Sequence, residues 1–203
     1  MATILREVGV NSGSLYHFFP SKEALLVGVL ERHLESLHST ILEPAAGATD
    51  DPIERVFALL GLYRRGLVIT DFTRGCLIGN LALEVGDGRP HVRALIEASF
   101  SVWAEGVRSW LDAAGDRLPA DLDRGALSRF VLTVMEGAVM QARAAGSLEP
   151  FDASVAQLRS YMELLAAQAR LGRGEAPAMP AGRETVEPSD EAPPPGRSAW
   201  RSW

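Results

Sequence analysis

The sequence holds 203 residues, 47% hydrophobic and 23% charged. That ordinary globular balance excludes wholesale disorder, and the length suffices to bury a core without a metal or disulfide staple. A single cysteine, Cys76, excludes a disulfide scaffold, and a net charge of −6 gives no general reason to expect a nucleic-acid partner. No run of about 18 uncharged apolar residues occurs, so no membrane span is predicted. The first residues do not read as a secretory leader, and the expected setting is the reducing cytoplasm.

Helical periodicity runs through the chain and no period-2 strand is predicted. Met1–Val8 reads as a short helix ended by Gly9. Asn11–Phe19 reads as a second, with Asn11 as its N-cap. After Pro20, Ser21 caps a third helix expected to run to about Leu42, and the small residues of Pro44–Asp50 read as a linker. Asp51-Pro52-Ile53-Glu54 is a strong helix start, with a capping Asp, a Pro at the first position and a Glu in the first turn. That helix is predicted to reach about Val68. The next is expected from near Thr73 to before Gly86-Asp87-Gly88.

Pro90 opens a long helix to about Ala114, with Val92, Ile96, Ser99, Trp103, Val107 and Trp110 on one stripe. Helices are then predicted over 123–145 and, after Pro150, over 152–171. The first has a wide apolar face and the second a heptad-like seam of Val155, Leu158, Met162, Leu165 and Ala169. Such a pair can pack on itself or on a second copy as a two-fold four-helix interface. Residues 172–203 hold half of the 12 prolines and read as a disordered tail.

The stretch most informative about function is Gly9-Val10-Asn11-Ser12-Gly13-Ser14-Leu15-Tyr16-His17-Phe18-Phe19-Pro20-Ser21-Lys22-Glu23. Two short helices meeting at a glycine turn have the layout of a helix-turn-helix. Leu15 and Phe18, three apart, are expected to face inward with Phe19 beside them. Ser12, Ser14, Tyr16 and His17 are expected to face outward, and Gly13 leaves room for a close backbone approach. Hydroxyls bind phosphate oxygens, and His17 can reach a phosphate or a base edge. Lys22, the only lysine, stands at a helix N-terminus, where dipole and ammonium together favour a phosphate. From pattern alone, a plain helical hairpin with a polar face fits equally well. Residues 1–40 carry three Lys/Arg and four Glu, so affinity for DNA would rest on a few well-placed contacts rather than a basic field.

The string from Val8 to Leu26, above all Leu15-Tyr16-His17-Phe18-Phe19-Pro20-Ser21-Lys22-Glu23-Ala24-Leu25, closely resembles the DNA-binding segment of the TetR/AcrR family of transcriptional regulators. The resemblance extends over about residues 1–170. Arg74-Gly75-Cys76-Leu77-Ile78-Gly79-Asn80-Leu81-Ala82-Leu83-Glu84 is similar to a segment early in the effector domain of one branch. Glu136-Gly137-Ala138, with Ala142-Arg143 and Pro150-Phe151-Asp152 after it, is similar to the dimer-forming pair of helices. The resemblance implies an all-α, homodimeric, ligand-responsive regulator, not an enzyme, most simply a repressor with no cofactor. Its helix-turn-helix domain spans residues 1–43, its effector-binding and dimerisation domain 51–171, and the tail 172–203. Contacts with a double-stranded, pseudo-palindromic operator fall to Ser12, Gly13, Ser14, Tyr16, His17 and Lys22. Tyr16 and Lys22 are expected on phosphates, and Ser12, Ser14 and His17 nearer base edges. Dimerisation falls to 123–145 and 152–171. Against the family pattern the chain begins inside the second helix. The expectation is that the start lies upstream or the reading domain is crippled, with Leu5, Leu15 and Phe18 exposing apolar surface.

The remaining candidates concern an effector. Cys76 follows Gly75 at an expected helix start beside Arg74, and both a helix N-terminus and a cation stabilise a thiolate. It is therefore a candidate oxidant or electrophile sensor, the alternative being a small buried hydrophobe. Trp103, Phe130 and Met135, with Phe100 and Tyr63, are candidates to line a cavity between helices, Trp103 first because a buried indole N–H needs a partner. His33 and His38, five apart among Glu31 and Glu35, are read as a solvated helix face, and no metal site is predicted. Two rivals remain: a helical dimeric ligand or redox sensor that has lost DNA binding, and an all-α enzyme, for which no convergent titratable set is visible.

Overall fold

The structure, a computed structural model, describes residues 6, 7, 9, 11–84 and 89–175, without the side chains of Ser12 and Ser14. Arg6 and Glu7 are helical; the rest of the expected first helix (Val8 included), the Gly86-Asp87-Gly88 turn and the tail from residue 176, with Trp200 and Trp203, lie outside the described residues. Among the described residues there is no strand, and no helix is long and apolar enough to cross a membrane.

Eight α-helices are described in full: α1 (Ser12–Phe18), α2 (Lys22–Leu37), α3 (Glu43–Gly47), α4 (Pro52–Ile69), α5 (Leu77–Glu84), α6 (Pro90–Ala113), α7 (Arg124–Ala145) and α8 (Glu149–Gly172). Their starts follow the capping residues. Ser21 Oγ accepts the Ala24 N–H at 3.0 Å, Asp51 Oδ1 accepts those of Ile53 and Glu54 at 2.8 and 3.4 Å, and Asp123 Oδ1 accepts that of Ala126 at 2.8 Å. The left-handed Gly146 closes α7 by returning its N–H to the last turn.

The expected linker Pro44–Asp50 is helical to Gly47. A π-helical segment, His38–Leu42, joins α2 to α3 without a break, the Glu43 N–H reaching back to the His38 carbonyl. Pro44 has no N–H and its ring collides with the preceding turn of a regular helix. The wider π turn relieves that conflict and lets the chain continue. Leu42 then seats against Gly106 of α6, where a Cβ would lie 2.8 Å from both its methyls.

Two other boundaries move. The helix expected near Thr73 begins at Leu77, because residues 70–73 form a tight turn first. Asp71 and Phe72 are both left-handed (φ 47 and 56), a conformation costing about 1–3 kcal/mol per residue, and the Phe72 N–H reaches the Leu67 carbonyl at 2.9 Å. The last helix starts at Glu149, with Pro150 inside its first turn instead of before it.

The core gathers the inward faces of α2 and α4–α8 around Leu30, Leu59, Ile78, Trp103, Leu111, Met135, Phe151 and Met162. Ion pairs tie α8 to α4: Arg159 grips Glu54 at 2.7 and 3.0 Å while its guanidinium covers the Phe57 ring at 3.7 Å, and Arg64 holds Asp152 at 2.8 and 2.9 Å. On the outer face of α7 and α8, Phe130, Tyr161 and Leu164 are exposed.

Candidate functional site

The reading segment is built on α1 and the first turn of α2. Phe19, not Phe18, turns inward with Leu15. Both are half-buried, and the Phe19 N–H closes on the Leu15 carbonyl at 2.8 Å. The Phe19 ring packs on Gly28, where a Cβ would lie 2.8 Å from its Cε1. Residues four apart share a helix face, and Gly28 supplies the groove on α2. Phe18 is left 75% exposed, its ring meeting that of His17 edge-on at 5.1 Å. Gly13, Tyr16, His17 and Lys22 are exposed, as are the turn residues Pro20 and Ser21. Ser12 and Ser14 lie on α1. No acidic residue stands in the first turn of α1, and Lys22 is the first residue of α2.

The second site is a pair of hollows that share a wall. The inner one is small, about 50 Å³, and is lined by His33 and Ile41 from the α2 arm, Tyr63 and Leu67 of α4, Cys76, Leu77 and Trp103. His33 is buried, contrary to the solvated face expected for it. Leu30, His33, Leu37 and Ile41 are all buried at steps of three and four, a stripe that the flanking glutamates disguise. His38 is exposed and bonded to Glu43 at 3.1 Å. Burial holds the His33 imidazole neutral and pushes its pKa down to about 4. The Trp103 ring meets His33, Tyr63 and Phe100 at 5.9, 6.2 and 5.9 Å between centroids. Its buried Nε1–H has no hydrogen-bond partner among the described residues.

Cys76 is the N-cap of α5, its Sγ accepting the Gly79 N–H at 3.4 Å. It is only 4% exposed. The expected thiolate-favouring surroundings do not prevail: burial raises the thiol well above its ordinary range, and the neighbouring Glu136 carboxyl adds to the rise. Desolvation outweighs the helix N-terminus, and Arg74 is exposed. Burial likewise raises the Glu136 carboxyl and, more strongly, the Tyr63 phenol, whose hydrogen bonding with Cys76 adds to the effect.

The outer cleft, about 960 Å³, opens between α5, α6 and α7 on the other side of Cys76 and Val139, which line both hollows. Asn80, Ile96, Phe100, Leu132, Glu136 and Arg143 form much of its wall, with Arg93, Arg129 and Glu97 also facing it. Two expected cavity residues fall elsewhere. Phe130 is on the outer face of α7, ring to ring with Tyr161 at 6.0 Å. Met135 is fully buried in the core and lines neither hollow. An apolar helical stripe does not distinguish core, cavity and interface, so neither placement was readable. Glu136 and Arg143 were missed as cleft residues, because their partners lie more than fifty positions away in sequence.

Comparison with known proteins places both halves of the chain. The family description "Bacterial regulatory proteins, tetR family" matches residues 1–29, and "Tetracyclin repressor-like, C-terminal domain" matches 52–176. An uncharacterised HTH-type transcriptional regulator of Mycobacterium tuberculosis is 30% identical over 169 residues, covering 80% of this chain and 82% of its own. The HTH-type transcriptional repressor NemR of Escherichia coli K12 is 25% identical, covering 80% of this chain and 82% of its own. The crystal structure of its reduced form superimposes with a TM-score of 0.66 over 79% of this chain and 84% of that one. A regulatory protein TetR from Rhodobacter sphaeroides superimposes with a TM-score of 0.71 at 24% identity, over 77% of this chain and 84% of that one, and so shares the fold.

Proposed function

The chain belongs to the tetR family of bacterial regulatory proteins and is a helix-turn-helix transcriptional regulator; from that premise we propose that it is a dimeric repressor which releases its operator when a small molecule or an electrophile enters the hollows around Cys76. Each subunit lays α1 in a major groove of a pseudo-palindromic operator, with half-sites spaced to match the dimer. Tyr16 and Lys22 bind phosphates, Gly13 allows the backbone close, and Ser12, Ser14 and His17 stand nearer base edges. The reading unit is residues 1–43, the effector and dimer unit 51–171. The exposed apolar side chains of α7 and α8 meet their copies across the two-fold axis.

The observation that carries this reading is the continuity of α2. One helix bears Lys22 at its first residue and His33 on the wall of the inner hollow. At 1.5 Å per residue the two are about 17 Å apart. A ligand in the outer cleft that shifts the shared wall of Cys76 and Val139 repacks the inner hollow, displaces His33 and with it the reading end, and it does so by binding the displaced arrangement more tightly.

The test is enrichment of duplexes from a random library on the full chain, followed by fluorescence anisotropy across a salt series. The expected result is one palindromic sequence, with log affinity falling linearly against log salt. Lys22→Gln should reduce that slope by about one phosphate's worth without changing the preferred sequence. No enriched sequence would sink the repressor reading and leave a helical sensor that does not bind DNA.

A further inference from the structure

Glu136 and Arg143 stand seven residues apart on α7, hence on one face, and both line the outer cleft. Opposite them the chain has glycines. A Cβ at Gly79 would lie 2.8 Å from Glu136 Cδ, and one at Gly75 would lie 2.8 Å from Arg143 Cδ. The Gly75-Cys76-Leu77-Ile78-Gly79 stretch thus leaves room for two ionisable groups beside the apolar side chains of Ile96, Phe100 and Leu132.

Among the described residues the Arg143 guanidinium is held only by neutral acceptors. Its Nη1 donates to Asn80 Oδ1 at 2.9 Å and its Nη2 to the Thr73 carbonyl at 3.5 Å. Its Nε is buried and has no acceptor among the described residues. No carboxylate among the described residues pairs with it or with Arg129. Glu136 forms no ion pair with Arg143 among the described residues. One of its carboxyl oxygens, Oε1, is buried without a partner among the described residues, and burial favours its neutral form. A fixed cation at the edge of apolar walls, oriented by an amide and lacking a counter-ion, is a receptor for an oxyanion. The cleft is the size of small-molecule sites in general.

We propose that the outer cleft binds a small monocarboxylate with an apolar body, its carboxylate on the Arg143 guanidinium that Asn80 orients and its body along Ile96, Phe100 and Leu132. That this ligand is also the effector rests on the repressor reading above.

The test is calorimetric titration of the full chain with decanoate and 4-phenylbutyrate, each beside its neutral alcohol, below the concentrations at which they aggregate. At least one acid should bind once per subunit, at least tenfold tighter than its alcohol. Asn80→Asp is nearly isosteric and places a competing carboxylate on Arg143. It should remove the preference for the acid and leave alcohol binding unchanged. Arg143→Gln should do the same, and Arg143→Lys should keep part of the preference. Neither acid binding, acids binding no better than alcohols, or an undiminished preference in a folded Asn80→Asp protein would overturn the proposal. Anisotropy on a bound duplex separates the two readings: an acid that binds through Arg143 and leaves DNA in place upholds the site and removes its role as effector site.

Discussion

The hollows on either side of Cys76 are built to opposite specifications. The inner one is small, ringed by Trp103, Tyr63 and His33, and its ionisable groups are held neutral by burial. The outer one is nearly twenty times larger and mixes an apolar wall with Arg143, Arg129 and Glu136. The inner hollow touches the helix that carries Lys22, whereas no residue of that helix lines the outer one. On the reading proposed above, selection of a ligand falls to the outer cleft, and transmission to the reading segment to the inner packing. A tightly packed interior passes on small displacements that a wide cleft absorbs.

The sharpest way to break this division is to empty each side in turn. Trp103→Ala removes a fully buried indole and should cost about 3–5 kcal/mol in urea unfolding. Phe100→Ala, at the half-buried edge of the outer cleft, should cost clearly less. Equal losses would mean that the two hollows share one packing unit.

A second test uses acid. His33 is pushed down to about 4 in the fold from an ordinary 6.5. Between those values the unfolded chain binds the proton and the folded chain does not, so stability falls as pH drops from about 6.5 to about 4. The contribution is fully present above 6.5 and amounts to about 3 kcal/mol at most. Urea titrations at pH 7 and pH 5 should show the loss in the native chain and a smaller one in His33→Phe. An identical pH dependence in the variant would place the titration elsewhere.

The smallest effect concerns the shared wall. Iodoacetamide should label Cys76 slowly at neutral pH, because burial and Glu136 both oppose the thiolate. Glu136→Gln should speed labelling severalfold, and no more than about tenfold, since burial remains. An unchanged rate would show that Glu136 does not act on the thiol. If electrophiles act through this residue, Cys76→Ser should abolish their release of DNA and leave decanoate binding intact.

Much of this architecture was legible beforehand. Asp51-Pro52 and Asp123 announced α4 and α7, because capping chemistry is local and acts within one turn. The Tyr16–Lys22 string marked the reading segment. What escaped were consequences of packing between distant segments. Phe19 displaced Phe18 from the inward position because Gly28 offers a groove nine positions away. His33 is buried because Trp103, seventy positions on, comes to lie over it. The clearances that Gly75 and Gly79 give Arg143 and Glu136 leave no periodic trace in either segment. Phe130 and Met135 lie on one apolar helix, and only their neighbours send one outward and the other inward.

The π-helical turn at His38–Leu42 counts residues. A π turn spends one more residue than an α turn over the same arc, so this segment amounts to a single inserted position between the reading end and the body. Each residue of a regular helix turns the chain by about 100°. Deleting one position inside the π turn, Ser39 for instance, would make it an α turn over the same arc and keep α1 in phase, whereas deleting one from the regular helix, Glu35 for instance, would rotate α1 by that angle about the α2 axis. In the dimer proposed above, two heads rotated in this way would be thrown out of phase with each other's groove. On the dimeric reading proposed above, the orientation of the half-sites is therefore set in part by an integer, the number of residues in the regular turns from Lys22 to Leu37, and the π turn takes up one extra residue without changing it.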